Sequence, residues 1–204
     1  MNPIMKNTVI LTAITLISGF LLGTVYEVTK APIAVQEEKT KQAAYSSVFE
    51  SAATFKEDAS IDLSNADSIL TDATLTEQAI NEVVVAKDAS GEKLGYVIGV
   101  TSKEGYGGNI TLSVGIKNDG TVNGIEILSI SETAGLGMKA NKDEFKSQFQ
   151  NKKVDKFAYT KTGATADHEI DALSGATITT NAVTNGVNAA IAFFDSMEGG
   201  NGNE

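Results

Sequence analysis

The 204-residue chain contains no cysteine, no arginine and no tryptophan, and its single histidine is His168. Without cysteine it forms neither disulfides nor cysteine-ligated iron–sulfur clusters, and one histidine leaves no plausible zinc site. All basic residues are lysines, and the formal net charge is -10. Because no basic stripe exists to neutralise phosphates, we expect no nucleic-acid partner. We also expect no metal site, so any redox chemistry would use an organic cofactor.

One long apolar run lies near the amino terminus. Residues 7–26 carry no charge, and as a helix they span roughly 30 Å, the thickness of the hydrocarbon core of a bilayer. The run is longer than the apolar region of about 7–15 residues in a signal peptide, and no cleavage site follows promptly. We predict an uncleaved transmembrane anchor at residues 1–30. Positively charged residues favour the cytoplasmic side of a span, so Lys6 indicates a cytoplasmic amino terminus, although Lys30 beyond the span weakens this indication. We therefore expect the anchor in the cell membrane and the residues after it on the extracytoplasmic side.

The remaining sequence predicts one α+β unit with an antiparallel sheet flanked by helices. Residues 31–76 read as a juxtamembrane helix that starts near Pro32, followed by mostly loop with short pieces of structure. Two runs rich in β-branched residues, joined by the turn-like sequence ASGE, form a first hairpin. A second hairpin follows, because apolar residues alternate with polar ones over 109–116 before the turn sequence NDG. Four antiparallel strands are therefore expected.

Two helices are predicted in the carboxy-terminal part. Residues 142–150 form a short amphipathic helix with Phe145 and Phe149 on one face. A closing helix covers residues 180–197, with one apolar stripe of Val183, Val187, Ala190, Ile191 and Phe194. The main domain thus spans residues 77–196. The glycine-rich tail, residues 197–204, is expected to be disordered.

A nucleophilic triad can be proposed from Ser174, His168 and Asp171, but the pattern argues against it. A nucleophile elbow requires G-x-S-x-G, whereas alanines flank Ser174 at the glycine positions. Three residues so close in sequence also rarely converge as a triad, which is normally assembled from separate elements. His168 lies among charged residues and is expected to be solvated. We therefore assign no catalytic residue to this chain.

The sequence DALSGATITTNAV, residues 171–183, places several hydroxyls just before the closing helix. Helix amino termini offer free N–H groups and a partial positive charge, so a phosphate group binds well there. Gly175 permits close approach of the backbone, and Ser174 and Thr177 supply hydroxyls. Ordinary helix capping beside a packed glycine explains the same residues, and composition alone favours it.

The segment DALSGATIT closely resembles the flavinylation motif of the FMN-binding domain family, an acid followed by S/T-G-A-T. The resemblance implies that Asp171 is the motif acid and that Thr177 carries FMN as a phosphoester. It also implies that a separate flavin transferase, of the ApbE type, makes this bond from FAD. A second TGAT occurs at residues 162–165, but Tyr159 stands where its acid should be.

Two further segments match that family in the same order. GYGG at 105–108 resembles its glycine-rich strand entrance, and ETAGLG at 132–137 resembles its E-T-P-G-L-G loop, with Ala134 in place of proline. The resemblance implies that these loops flank the flavin ring. The implied cofactor-binding residues are Thr177, Asp171, Ser174, Gly175, Ala176, Glu132, Thr133, Gly135, Leu136, Gly137 and Tyr106. For the glycines and for Leu136, a purely structural role in a turn or in the core stays open.

Together with one amino-terminal span, these motifs are similar to those of the RnfG family, the G subunits of Rnf electron-transport complexes. This implies an electron-carrying flavoprotein that works with other membrane subunits to couple electron transfer between ferredoxin and NAD to ion translocation. The C subunit of the sodium-pumping NADH:quinone reductase is related but usually longer. A free-standing anchored flavoprotein outside the cell, and a flavin-free adhesion module that kept the fold, also fit the sequence.

Overall fold

The computed structural model describes residues 2–58 and 61–199, and the chain divides after Lys41 into two units. Helix α1 runs without a break over Pro3–Val48, so the predicted helix start near Pro32 is wrong. Proline removes one backbone donor, which this long helix tolerates. Within the part of the chain that the structure describes, α1 is the one helix long and apolar enough to cross a membrane, and none of its most apolar segment is buried.

The second unit is built on a five-stranded antiparallel sheet with the strands in sequence order. Its strands are β1 (Thr54–Glu57), β2 (Gln78–Lys87), β3 (Lys93–Ser102), β4 (Ile110–Lys117) and β5 (Val122–Ser129). The four predicted strands are confirmed as β2 to β5. The edge strand β1 lies in a region predicted to be mostly loop, which also contains the short helix α2 (Ala66–Asp72).

One face of the sheet forms the main core against α2 and the last helix, α4 (Thr177–Gly199). The alternation in β4 causes this arrangement, since Ile110, Leu112, Val114 and Ile116 are fully buried on the α4 side. The apolar stripe predicted for the closing helix is confirmed, because all five of its residues are buried. The predicted α+β class is therefore confirmed.

The end of α1 packs on the opposite face of the sheet. Tyr45, Val48 and Phe49 are buried there with Val84, Ala86 and Val97. The contact is close because the strands present glycine, and a Cβ on Gly115 would lie 3.0 Å from Val48 Cβ. Asn123 also donates a hydrogen bond to the Val48 carbonyl. The last turns of this long helix thus belong to the folded domain.

Short elements connect the sheet to α4. They are a 3-10 helix (Gly137–Asn141), helix α3 (Asp143–Lys146), a second 3-10 helix (Ser147–Phe149), and the parallel strands β6 (Ala158–Thr160) and β7 (Glu169–Asp171). The helix predicted at 142–150 thus consists of four α-helical residues followed by three 3-10 residues, and Phe145 and Phe149 are both buried as expected. The strands β6 and β7 were not predicted.

Helix α4 begins three residues earlier than expected and continues to Gly199. Glu198 and Gly199, which lie beyond the predicted end of the closing helix and within the predicted disordered tail, are therefore helical. The remainder of that tail, residues 200–204, lies outside the described residues.

Candidate functional site

The amino terminus of α4 coincides with the last threonine of the SGAT segment, because α4 begins at Thr177. Gly175 has φ +74°, a conformation that glycine adopts easily, and it turns the chain into the helix. Thr180 N–H donates a backbone hydrogen bond to Ala176 O. In such a geometry the N–H groups of the first turn, from Thr177 to Thr179, have no partner within the helix.

The hydroxyls of this first turn have different environments. Thr180 is fully buried, and its Oγ accepts the Leu173 N–H at 3.0 Å and donates to Ala176 O at 3.0 Å. Thr179 is also buried. Thr177 is half-buried and lines an open cleft. Thr177 therefore offers the accessible hydroxyl in this turn of the helix.

The cleft has a volume of about 610 Å³, within the range of roughly 300–1,000 Å³ typical of small-molecule sites. It lies between the start of α4 and two loops, residues 105–108 and 132–137. Its lining residues are Tyr106, Glu132, Thr133, Leu136, Gly137, Gly175, Ala176, Thr177, Ile178 and Thr179. Eight of the eleven sequence-predicted site residues are thus brought together, whereas Asp171, Ser174 and Gly135 do not line the cleft.

Glu132 fixes the two loops to each other. Its side chain is buried, and its Oε1 accepts the Gly107 N–H at 3.2 Å. Crowding requires glycine at two positions of the first loop, since a Cβ on Gly105 would lie 2.1 Å from Gly108 O and one on Gly107 would lie 2.0 Å from Ser131 O. These two glycines therefore allow the loop that carries the lining residue Tyr106 to pack closely.

The second loop also packs against α4. A Cβ on Gly137 would lie 2.6 Å from Thr179 Oγ1 and 2.8 Å from Glu132 Oε2. Gly137, Thr179 and Glu132 thus meet at the floor of the cleft. Sequence reasoning missed Thr179 and its neighbour Ile178 as lining residues, although their place in the first turn after Thr177 was a usable signal.

Apolar side chains are exposed around the cleft. The exposed fractions are 73% for Tyr106, 53% for Ile178 and 42% for Leu136. A core role for Leu136 is therefore wrong. Apolar walls beside a helix amino terminus suit a ligand that has both a flat apolar part and an anionic part.

Asp171 lies outside the cleft and holds a neighbouring loop. Its Oδ1 accepts the Ala164 N–H at 2.5 Å, within the second TGAT segment. Ser174 and His168 are both exposed. The Asp171 carboxylate is thus bonded to a loop backbone.

The neighbouring acid Glu169 holds the same loop from the other side. Its Oε2 accepts hydrogen bonds from Thr165 N and Oγ1 and from Ala166 N. The backbone hydrogen bond from Thr165, followed by its hydroxyl, lowers the pKa of Glu169 below its ordinary value. Among the described residues, no group of three or more potential ligand side chains could hold a metal ion.

Comparison with known proteins gives relatives that cover nearly the whole chain. Residues 105–192 match the FMN-binding domain family, and residues 1–48 match the family described as the RnfG N-terminal region. The G subunit of the proton-translocating ferredoxin:NAD(+) oxidoreductase complex of Clostridium ljungdahlii is 34% identical, over 98% of this chain and 96% of that protein. The G subunit of the Na(+)-translocating ferredoxin:NAD(+) oxidoreductase complex of Acetobacterium woodii is 29% identical, over 95% of this chain and 93% of that protein.

Two solved structures are also similar. One is Shewanella oneidensis NqrC, with a TM-score of 0.49 and 23% identity over 57% of this chain and 60% of that chain. The other is the C subunit of the Na(+)-translocating NADH-quinone reductase of Parabacteroides distasonis, with a TM-score of 0.46 and 24% identity over 68% of this chain and 71% of that chain.

Proposed function

This chain belongs to the RnfG family, the G subunits of ion-translocating oxidoreductase complexes, and from this we propose that it is the electron-carrying FMN subunit of such a complex. The complex would couple electron transfer between ferredoxin and NAD to ion translocation, with other membrane subunits as partners. The chain would act as one subunit of this oxidoreductase without a complete active site of its own. Relatives named as G subunits over nearly the full length favour this function over that of a C subunit.

The position of Thr177 is the observation that carries the proposal. It is the first residue of α4 and lines the cleft, within the residues that match the FMN-binding domain family. The free N–H groups of the first turn would bind a phosphate, and the partial positive charge of the helix terminus would favour it. Because the chain has no arginine and no lysine is among the described residues that line the cleft, these backbone groups and the Thr177 hydroxyl would hold the phosphate.

The remaining cleft residues fit a flavin ring. Tyr106, Leu136 and Ile178 would contact its apolar surface, and Glu132 would keep the two loops at the right separation through Gly107. Bound FMN supplies the electron-transfer chemistry, whereas the protein orients it and sets its surroundings. Because the cleft is open to solvent, one side of the ring would stay accessible to redox partners.

We propose that the attachment is covalent and is made by a flavin transferase of the ApbE type. Thr177 Oγ would attack the phosphorus on the FMN side of FAD, the pyrophosphate P–O bond would break, and AMP would leave. The hydroxyl proton would pass to a base of the transferase. An ester bond keeps the cofactor on the protein at any dilution, which matters for a domain outside the membrane.

The anchor helix defines the location in this proposal. Residues 7–26 would span the membrane, with Lys6 on the cytoplasmic side and the FMN-binding domain on the extracytoplasmic side. The acidic net charge of -10 suits a soluble domain beside an anionic membrane surface.

The test is flavin attachment to the full-length protein, produced together with a flavin transferase and examined by intact mass and in-gel flavin fluorescence. The wild type should gain the mass of one FMN less one water, as expected for a phosphoester, and Thr177→Ala should gain none. Thr165→Ala, in the second TGAT segment, is the matched control and should be labelled like the wild type. A fluorescent band that survives in Thr177→Ala would refute the site, and copurification with polytopic membrane subunits would test the complex.

A further inference from the structure

Gln148 lies on a rigid part of the domain, next to the proposed flavin-attachment segment, residues 171–177. It occupies the middle of the second 3-10 helix, and its neighbour Phe149 is fully buried. The Phe149 ring packs edge-on against Phe145 at 5.7 Å and against Phe157 at 5.1 Å between centroids. The backbone that carries Gln148 is therefore fixed by the core.

The side chain of Gln148 bonds both backbone polar groups of Asp171. Its Oε1 accepts the Asp171 N–H at 2.6 Å, and its Nε2 donates to the Asp171 carbonyl at a longer 3.5 Å. A primary amide presents an acceptor and a donor side by side, as a neighbouring strand does. Since β7 pairs only with β6 in its two-stranded sheet, Gln148 takes the place of a strand on the free edge of β7.

Asp171 in turn orders the chain that leads to Thr177. Its carboxylate accepts the Ala164 N–H, and the next residue, Ala172, donates its N–H to Thr160 O at 2.8 Å. Leu173 N–H is bonded to the Thr180 hydroxyl. The three consecutive residues 171–173 are thus held by hydrogen bonds. All of their partners lie within residues 160–180 except Gln148.

We propose that Gln148 is a positioning residue for flavin attachment, which fixes the backbone of Asp171 and thereby the orientation of residues 171–177. In this proposal Asp171 also acts by position, through the hydrogen bond that it accepts from Ala164, and not through its charge. This inference rests on the proposed function, because it concerns the rate at which the Thr177 hydroxyl is modified.

The primary test measures the initial rate of FMN transfer from FAD to purified full-length protein by a flavin transferase, followed by intact mass. Gln148→Met keeps the length of the side chain but loses both hydrogen-bonding groups, and we expect about tenfold slower transfer, since small misplacements of a reacting group slow catalysis strongly. Gln150→Ala, an exposed glutamine two residues further on, is the matched control and should react like the wild type. Equal rates for Gln148→Met and Gln150→Ala would overturn the proposal.

A rescue experiment separates hydrogen bonding from charge. Asp171→Asn retains an oxygen that can accept the Ala164 N–H and should react within about twofold of the wild type, whereas Asp171→Ala should be as slow as Gln148→Met. Because both residues act through one set of contacts, Gln148→Met combined with Asp171→Ala should be no slower than Asp171→Ala alone. Transfer to Asp171→Asn as slow as to Asp171→Ala, or additive losses in the double variant, would contradict the proposal.

Amide hydrogen exchange of the flavin-free protein gives a readout that does not depend on attachment. Gln148→Met should accelerate exchange at Asp171 and Ala164 while the exchange of core amides in β4 stays unchanged. If the wild type gained no nucleotide mass, the proposed function would fail, but this exchange pattern would still test the contact. Unchanged exchange at both amides would overturn the positioning role even in a protein that is labelled normally.

Discussion

Asn188 bonds both backbone polar groups of Phe157. Its Oδ1 accepts the Phe157 N–H at 2.8 Å, and its Nδ2 donates to the Phe157 carbonyl at 3.0 Å. Gln148 makes the same pair of contacts with Asp171. The stretch from Phe157 to Asp171 is thus held at each end by a side-chain amide, from α4 at one end and from the second 3-10 helix at the other.

Asn188→Ala should lower the free energy of unfolding by about 2–6 kcal/mol. Asn188 and Phe157 are both buried, so the substitution leaves a donor and an acceptor without partners, at about 1–3 kcal/mol each. Urea unfolding followed by circular dichroism measures the change. Asn181→Ala, at a half-buried position of the same helix, is the control, and equal losses for the two variants would contradict the assigned role.

Gly137→Ala should destabilise the domain by about 1–3 kcal/mol, the usual range for overpacking. The added methyl group would lie within 3 Å of Thr179 Oγ1 and of the Glu132 side chain, and the fixed helix backbone limits how far Thr179 can move. Thermal unfolding provides the measurement. Gly124→Ala serves as control because a Cβ there meets no atom within 4 Å. A Gly137→Ala protein as stable as this control would show that the loop adapts freely.

Glu132→Ala should lower the free energy of unfolding by about 1.5–3 kcal/mol, the range for a hydrogen bond to a charged group. The variant loses the acceptor of the Gly107 N–H, and the loop 105–108 should then exchange its amide hydrogens faster. Glu132→Gln keeps an acceptor oxygen and should retain most of the protection at Gly107. Comparable exchange in Glu132→Ala and the wild type would mean that the loops are held by other contacts.

The regular elements were predictable because a local pattern determines them. Alternation over residues 109–116 gave β4, and the stripe containing Val183 and Val187 gave the buried face of α4. The strands β6 and β7 could not be found in this way, since each has only three residues and most of these are polar or exposed.

The sequence predicts the site as three separate motifs. It does not predict the contacts that join them, because these contacts link residues far apart in the chain. The contact of Glu132 with Gly107 joins residues 25 positions apart, so no local period reveals it. The role of Asp171 as an acceptor for the Ala164 N–H likewise depends on how the second TGAT segment folds back. In the sequence, TGAT at 162–165 is an alternative candidate for the attachment motif. In the structure, its Ala164 N–H instead donates a hydrogen bond to the carboxylate of Asp171.

The loop around Thr165 should loosen at acid pH. Hydrogen bonding from Thr165 holds the pKa of Glu169 below its ordinary value of 4.5, so the ionised carboxylate stabilises the folded loop. This contribution is fully present above pH 4.5 and is lost as the pH falls through the lower pKa of the folded state. The difference in melting temperature between the wild type and Glu169→Gln should therefore be constant near neutral pH and shrink below about pH 4.5. A difference that persists unchanged into strong acid would exclude this linkage.

The soluble domain should begin within α1, at Gln42, and not at the end of the helix. Tyr45, Val48 and Phe49 are each at most 3% exposed, and burial of one such side chain contributes roughly 1.5–3 kcal/mol. A chain starting at Gln42 should stay in solution without detergent and unfold cooperatively. A chain starting at Ser51 loses all three side chains and should be less stable by about 5 kcal/mol, with the apolar face of β2 and β3 exposed to aggregation. Urea unfolding of the two shortened chains measures this difference, and equal stabilities would mean that the end of α1 only rests on the sheet.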